Sequence, residues 1–157
     1  MSSLTPVNRL SAVLERGEII LPFRAATPEE AVDRLLRPRL LAEGLSRTAA
    51  EAGIEAIYNR ERAGSTVFGS VALPHARIGG LKRIVAAMGV NPGGVFESGP
   101  AVTRVVLAFA SPEKSAVDHL RFLAQVAQIF RNEDVISELL ASVDGGSIIA
   151  ILKSRER

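Results

Sequence analysis

Residues 59–77 read NRERAGSTVFGSVALPHAR, and the fold is decided by how this stretch is read. It opens on charged residues in the manner of a helix end, turns at Gly64, and passes through Val71, Ala72 and Leu73 to Pro74-His75. His75 is one of only two histidines in 157 residues. Pro74 withholds one ladder hydrogen bond and is expected to end the strand, while its ring stiffens the approach to the histidine. That arrangement holds an imidazole at a defined angle at a sheet edge. Position alone also suits a loop histidine with no chemical role.

Upstream of this stretch the signals are helical. Residues 1–18 suit a short helix or arm with Leu10, Val13 and Leu14 on one side. EIILPF (18–23) reads as a short strand or extended segment closed by Pro22. In TPEEAVDRLL (27–36), Thr27 is placed to cap, Pro28 fits the first helical position and Glu30 completes a capping box. Ala31, Val32 and Leu35 face inward, Pro38 should kink or end that helix, and Gly44 closes the segment beyond Pro38. SRTAAEAGIEAIYNRER (46–62) offers Thr48 and Glu51 as a second capping box, with Ile54, Ile57 and Tyr58 as its stripe and Gly64 as its stop.

Downstream, RIVAAMGV (83–90) and VTRVVLAFA (102–110) are continuous apolar runs of the kind that strands covered on both faces require. NPGG (91–94) and ESGP (97–100) are turn signals. A helix then starts at Ser111-Pro112 or at Ser115 with Asp118, with Leu120, Leu123, Ala124, Ala127 and Phe130 at helical spacing. His119 follows Asp118 at the start of that helix and is expected at its rim. EDVISELL (133–140) continues after Asn132, and SIIAILK (147–153) reads as a final helix capped by Ser147. Helices, then strands, then helices suggest a layered α/β domain.

Composition narrows the function classes. Forty-seven per cent hydrophobic and 23% charged residues make a globular chain, with length for one domain and its core. The absence of cysteine removes disulfides, thiolate metal sites and a cysteine nucleophile. Nineteen basic residues against 17 acidic ones leave a net charge of +2, with no basic stripe or aromatic platform for nucleic acid. No apolar run approaches the ~20 residues of a membrane span, and the N-terminus lacks a signal-peptide core. The expectation is a cytoplasmic protein that neither binds nucleic acid nor enters a membrane.

Two further motifs fail. Gly64 and Gly69 have P-loop spacing, but Ser70 and Val71 stand where Lys and Ser/Thr are needed. The two histidines, far apart and without cysteine or an HExxH pattern, give no zinc signature, so no metal is expected. Arg60 and Glu61 suit a helix end on electrostatic grounds alone. Gly64-Ser65-Thr66 could form an anion nest or only a connection.

Taken together, NRERAGSTVFGSVALPHAR resembles the phosphohistidine motif of the fructose/mannitol-type enzyme IIA domains of the phosphoenolpyruvate-dependent phosphotransferase system, including the stand-alone nitrogen-regulatory (PtsN-like) form. The shared elements are an Arg-Glu pair, a Gly-Ser-Thr turn, a glycine-bearing strand and Pro-His. SAVDHLRFLAQVAQIFRNEDVISELL (115–140) resembles the segment with the family's second histidine. The likeness spans about residues 10–152 of a single type-2 domain taken as 1–157. Two departures stand out: Val67-Phe68-Gly69 replaces the usual Gly-Ile-Gly, and Leu73 replaces the usual isoleucine. Phe68 alters the surface expected to face a partner.

The resemblance implies a three-layer α/β/α fold with a central mixed β-sheet flanked by helices. It implies that His75 accepts a phosphoryl group from phospho-HPr or a nitrogen-system HPr homologue. His119 would hydrogen-bond that group, Arg60 would neutralise it, and Ser65 and Thr66 are weaker candidates to bind it. The other nitrogen of His75 should be held by a backbone carbonyl or a nearby side chain. No cofactor is implied, because the phosphoryl group comes from phosphoenolpyruvate through enzyme I and HPr. The expected role is a phosphotransferase component with a regulatory output through a target protein. The rivals are a sugar-uptake IIA passing its phosphoryl group to a separate IIB domain, and a non-catalytic interaction domain. The intact set of Arg60, His75 and His119 argues against the last.

Overall fold

The computed structural model describes residues 5–96 and 102–156. Its elements run α1 (Leu10–Glu15), β1 (Glu18–Ile20), α2 (Pro28–Ala42), α3 (Arg47–Ala63), β2 (Val71–Ala72), β3 (His75–Ile78), β4 (Val85–Val90), β5 (Val105–Pro112), α4 (Ala116–Phe130), α5 (Glu133–Leu140) and α6 (Gly145–Arg155). The strands form one mixed sheet in the order β1-β4-β5-β2, with β3 also on β5. β4 and β5 are antiparallel, and the other pairs are parallel. This is the expected α/β/α arrangement.

The apolar runs of β4 and β5 divide cleanly by alternation, as side chains on a pleated strand must. Ala86, Met88 and Val90 of β4 and Val105, Leu107 and Phe109 of β5 face α1, α4, α5 and α6. Val85 and Ala87, with Val106, Ala108 and Ala110, face α2 and α3. Both faces are covered, which is why neither strand shows a polar alternation. The turn expected at 91–94 is present, with Gly94 at φ +108°. The ESGP turn (97–100) lies outside the described residues.

The start of α2 is capped as its pattern indicates, and those of α3 and α6 by other residues. Thr27 Oγ1 accepts from the Glu30 N–H at 3.1 Å as expected, but the Glu30 carboxylate accepts from Ala26 N–H at 2.6 Å, one residue earlier than in a capping box. α2 runs through Pro38 to Ala42, so that proline does not end it, and Gly44 follows at φ +94°. α3 is capped by Ser46, whose Oγ accepts from Ala49 N–H at 3.1 Å. Thr48 lies inside the helix and Glu51 pairs with Arg37 at 2.6 Å. Asp144 rather than Ser147 caps α6, its carboxylate accepting the Ser147 N–H at 2.8 Å.

Of the stripe expected on α4, Phe130 is buried and Leu123 packs against the core, while Leu120 and Ala124 are out of phase. The buried residues of α4 are His119, Phe122, Val126, Ile129 and Phe130, whereas Leu120 is 64% exposed and Ala124 faces solvent. The helix starts at Ala116 with Ser115 at its N-cap, the second of the two expected starts, because β5 carries on through Ser111 and Pro112.

Candidate functional site

Pro74 does not end the edge strand; it interrupts it. Ala72 pairs with Val106 and His75 with Phe109, so the register passes unbroken across Leu73-Pro74. The Pro74 carbonyl still accepts from Phe109 N–H at 3.1 Å. Proline has no N–H to return, and the ladder lacks one bond there. His75 is thus the first residue of β3 rather than a residue beyond the strand.

An edge strand turns alternate carbonyls away from its neighbour. The Leu73 carbonyl is one of these, and His75 Nδ1 donates to it at 2.6 Å. A carbonyl can only accept, so the proton sits on Nδ1 and the lone pair of Nε2 is left free. This is the backbone carbonyl that a fixed tautomer requires. The ring is pinned from below by Phe109, with centroids 4.8 Å apart and planes 6° from parallel. Phe109 is held in turn by an edge contact with Phe122 at 4.9 Å.

His119 is buried rather than at the helix rim. It lies one turn into α4 on the face toward the sheet, and its Nδ1 is 2.8 Å from Ser111 Oγ. Glu113–Ser115 connect β5 to α4, and this short link swings His119 back over Ser111. The two imidazoles lie 5.3 Å apart, tilted by 43°. His75 is 5% exposed and His119 9%, so only the ring edges reach solvent.

Burial is the main force on both titrations. It pushes His75 below its ordinary 6.5; the Leu73 hydrogen bond opposes the shift and the Arg60 charge adds to it. His119 is pushed down to about 4 by burial, then by His75 and Arg77. Both rings are therefore neutral near pH 7, and each has one proton to place.

Arg60 stands at the end of α3, on the other face of the sheet, and reaches the edge from there. Its charge acts on His75, but its guanidinium donates to the Gly64 carbonyl at 2.8 Å rather than to either imidazole. Ser65 and Thr66 follow in the same connection. Thr66 Oγ1 donates to Glu61 Oε1 at 2.5 Å, and Ser65 Oγ accepts from Val67 N–H at 3.2 Å. Both hydroxyls are engaged locally, and no hydrogen bond joins them to the histidines among the described residues.

Sequence reasoning missed Phe109, Ser111 and Arg77. Phe109 and Ser111 are two apart on one strand, and β5 pairs them with His75 and Arg77, so all four share one face. Alternation marks each pair, but the pairing of β3 with β5 could not be read from one chain. A cavity of about 240 Å³ lies behind Pro74 on the opposite face, lined by Val32, Tyr58, Val67 and Val106 among others, and the imidazoles do not border it.

The chain is thus a small α/β/α domain whose mixed sheet carries two neutral imidazoles at its edge. Residues 12–155 match the family described as phosphoenolpyruvate-dependent sugar phosphotransferase system, EIIA 2, and the chain belongs to that family. It is 31% identical over 140 residues to a nitrogen regulatory protein of Bradyrhizobium diazoefficiens, covering 86% of this chain and 89% of that one. Its fold is similar to that of nitrogen regulatory protein IIA-Ntr from Neisseria meningitidis (TM-score 0.74, 22% identity, 94% of each chain). It is also similar to the mannitol IIA enzyme of Escherichia coli, seen in complex with phosphorylated mannitol IIB (TM-score 0.67, 23% identity, 87% of this chain and 94% of that one). Among the described residues, no helix is long and apolar enough to cross a membrane.

Proposed function

We propose that this protein is a phosphohistidine carrier that takes a phosphoryl group on Nε2 of His75 from phospho-HPr or a related carrier, and that its phosphorylation state regulates a partner protein. The observation that carries the reading is the 2.6 Å bond from His75 Nδ1 to the Leu73 carbonyl, which leaves Nε2 as a nucleophile at the sheet edge. In the transfer the Nε2 lone pair attacks phosphorus, the new N–P bond forms, and the N–P bond of the donor breaks. The donor imidazole leaves with that electron pair, and the His75 proton stays on Nδ1, hydrogen-bonded to the Leu73 carbonyl. No cofactor is needed, since the phosphoryl group arrives on the donor from phosphoenolpyruvate through enzyme I and HPr.

Phosphoryl transfer asks mainly for positioning and charge compensation. Phe109 and Leu73 position the ring. Arg60 supplies the cation by moving its guanidinium off Gly64, and His119 donates to the phosphoryl oxygens. Ser65 and Thr66 are reserve donors, released if Glu61 and Val67 let them go. A protein donor suits the site better than a free small molecule, because the imidazoles do not border the cavity and only their edges reach solvent. Val117 and Leu120, exposed by 59% and 64% on either side of His119, give a docking partner apolar contact.

The regulatory output is favoured by the 31% identity to a nitrogen regulatory protein. Phosphorylation adds roughly two negative charges to a neutral site, enough to change which partner it holds. The setting for this chemistry is the cytoplasm. A IIB acceptor is the second reading, supported by the fold shared with a IIA enzyme that binds phosphorylated IIB. Incubation with enzyme I, HPr and phosphoenolpyruvate, read by intact mass, tests the carrier reading. One acid-labile phosphoryl group, absent in His75→Ala, supports it; no uptake from a competent donor rejects it. Onward transfer to a IIB domain would favour the second reading.

A further inference from the structure

Ser111 is fully buried on β5, and among the described residues its Oγ has a single hydrogen-bond partner, Nδ1 of His119 at 2.8 Å. The bond can run in either direction on distance alone. The two directions are not equivalent. If Nδ1–H donated to the hydroxyl oxygen, the hydroxyl proton would face the core with nothing to accept it, and an unmet buried donor is costly. If the hydroxyl donates to Nδ1, both groups are satisfied by one bond.

We propose that Ser111 is a positioning residue whose hydroxyl donates to Nδ1 of His119, so that His119 keeps its one proton on Nε2 and offers it as a donor to a phosphoryl group on His75. The functional half of this rests on the phosphocarrier reading; the tautomer itself does not. The two histidines then hold opposite tautomers. His75 holds its proton on Nδ1, where it donates to the Leu73 carbonyl, and bares the Nε2 lone pair. His119 has its Nδ1 lone pair tied to Ser111 and bares an N–H. One ring is a nucleophile and its neighbour, 5.3 Å away, is a hydrogen-bond donor.

The depressed titration of His119 supports this, since a neutral ring has only one proton to place. The charges acting on it are Arg77 from β3 and the neighbouring His75, and both favour the neutral form. The opposite tautomer would direct a lone pair toward a dianionic group and repel it.

The test is long-range proton–nitrogen NMR of the unphosphorylated protein near pH 7, where two histidines give two resolvable imidazole patterns. The expected result is protonated Nε2 on His119 and protonated Nδ1 on His75. Protonated Nδ1 on His119 overturns the proposal, and this holds whether or not any donor phosphorylates the protein. Ser111→Ala should replace the single His119 tautomer by a mixture and slow phosphoryl uptake by roughly ten-fold, the rate equivalent of one modest hydrogen bond. Ser111→Thr keeps the hydroxyl and should restore the Nε2-protonated pattern. An Ser111→Ala protein with an unchanged His119 pattern also overturns it. Uptake that fails in the wild type, with the tautomers as expected, rejects the carrier reading and leaves the Ser111–His119 assignment standing.

Discussion

The imidazole of His75 lies flat on the ring of Phe109, 4.8 Å between centroids and 6° from parallel. One face of this imidazole is thereby closed by the core, and its in-plane orientation is set by Leu73. Phe109 is fully buried and is itself wedged against Phe122.

Replacing Phe109 should separate positioning from nucleophilicity. Phe109→Leu keeps most of the apolar volume, and a destabilisation of about 1–1.5 kcal/mol is expected in denaturant unfolding. Phosphoryl uptake should fall because the ring is free to rock. Phe109→Ala is expected to cost about 3–5 kcal/mol, as for other buried aromatics. Uptake by Phe109→Leu at the wild-type rate would show that stacking does not position the ring.

Arg60 gives a second prediction. A charged hydrogen bond to a phosphoryl oxygen contributes about 1.5–3 kcal/mol, so Arg60→Ala should slow uptake by roughly 10- to 100-fold without abolishing it. Its guanidinium is exposed and bonded to Gly64, so folding stability should change little. Rapid-quench phosphorylation beside thermal unfolding distinguishes the two effects.

The histidines also predict a pH dependence. Both have folded-state values below the unfolded 6.5, that of His119 at about 4. The unfolded chain therefore binds more protons than the folded one between these values, and stability rises with pH across that window. Their effect on unfolding free energy should be flat above about pH 7.5 and turn increasingly destabilising as pH falls from 6.5 through 4. Phosphoryl uptake should stay constant on going from pH 8 to 7 because Nε2 of His75 is already free. In His119→Gln the stability slope between pH 6.5 and 4 should flatten. An unchanged slope would contradict the assigned burial effect.

Helix capping offers a check on local structure. Ser46→Ala should cost about 1 kcal/mol, because Ser46 Oγ satisfies the Ala49 N–H. Thr48→Ala should be neutral or slightly stabilising, since Thr48 lies within the helix, where alanine is the better former. The reverse order in urea unfolding would restore the Thr48–Glu51 box suggested by the sequence.

Much of this fold was legible because its signals are local or doubly redundant. β4 and β5 are apolar on both faces, so their runs stand out whatever their partners are. Thr27-Pro28 marks the start of α2 through its own side chain and ring. What failed depended on context. Leu120 and Phe122 both suit a helix, and only packing against the sheet decides that Phe122 is inside and Leu120 outside. Pro38 is tolerated within α2, against the local rule. In the site, Pro-His marked His75, but the strand goes on past Pro74 because β5 holds both sides of the break in register. Ser111 read as one of two possible helix starts, while its contact with His119 depends on the return of α4 over β5.

The central claim is that the Leu73 carbonyl makes Nε2 of His75 the phosphoryl acceptor. The most direct test is phosphorus–nitrogen coupling in the nitrogen-15-labelled protein after phosphorylation by enzyme I, HPr and phosphoenolpyruvate. Coupling between the phosphoryl group and Nε2 of His75, with Nδ1 still protonated, is the predicted result. Coupling to Nδ1 of His75, or to either nitrogen of His119, would contradict it.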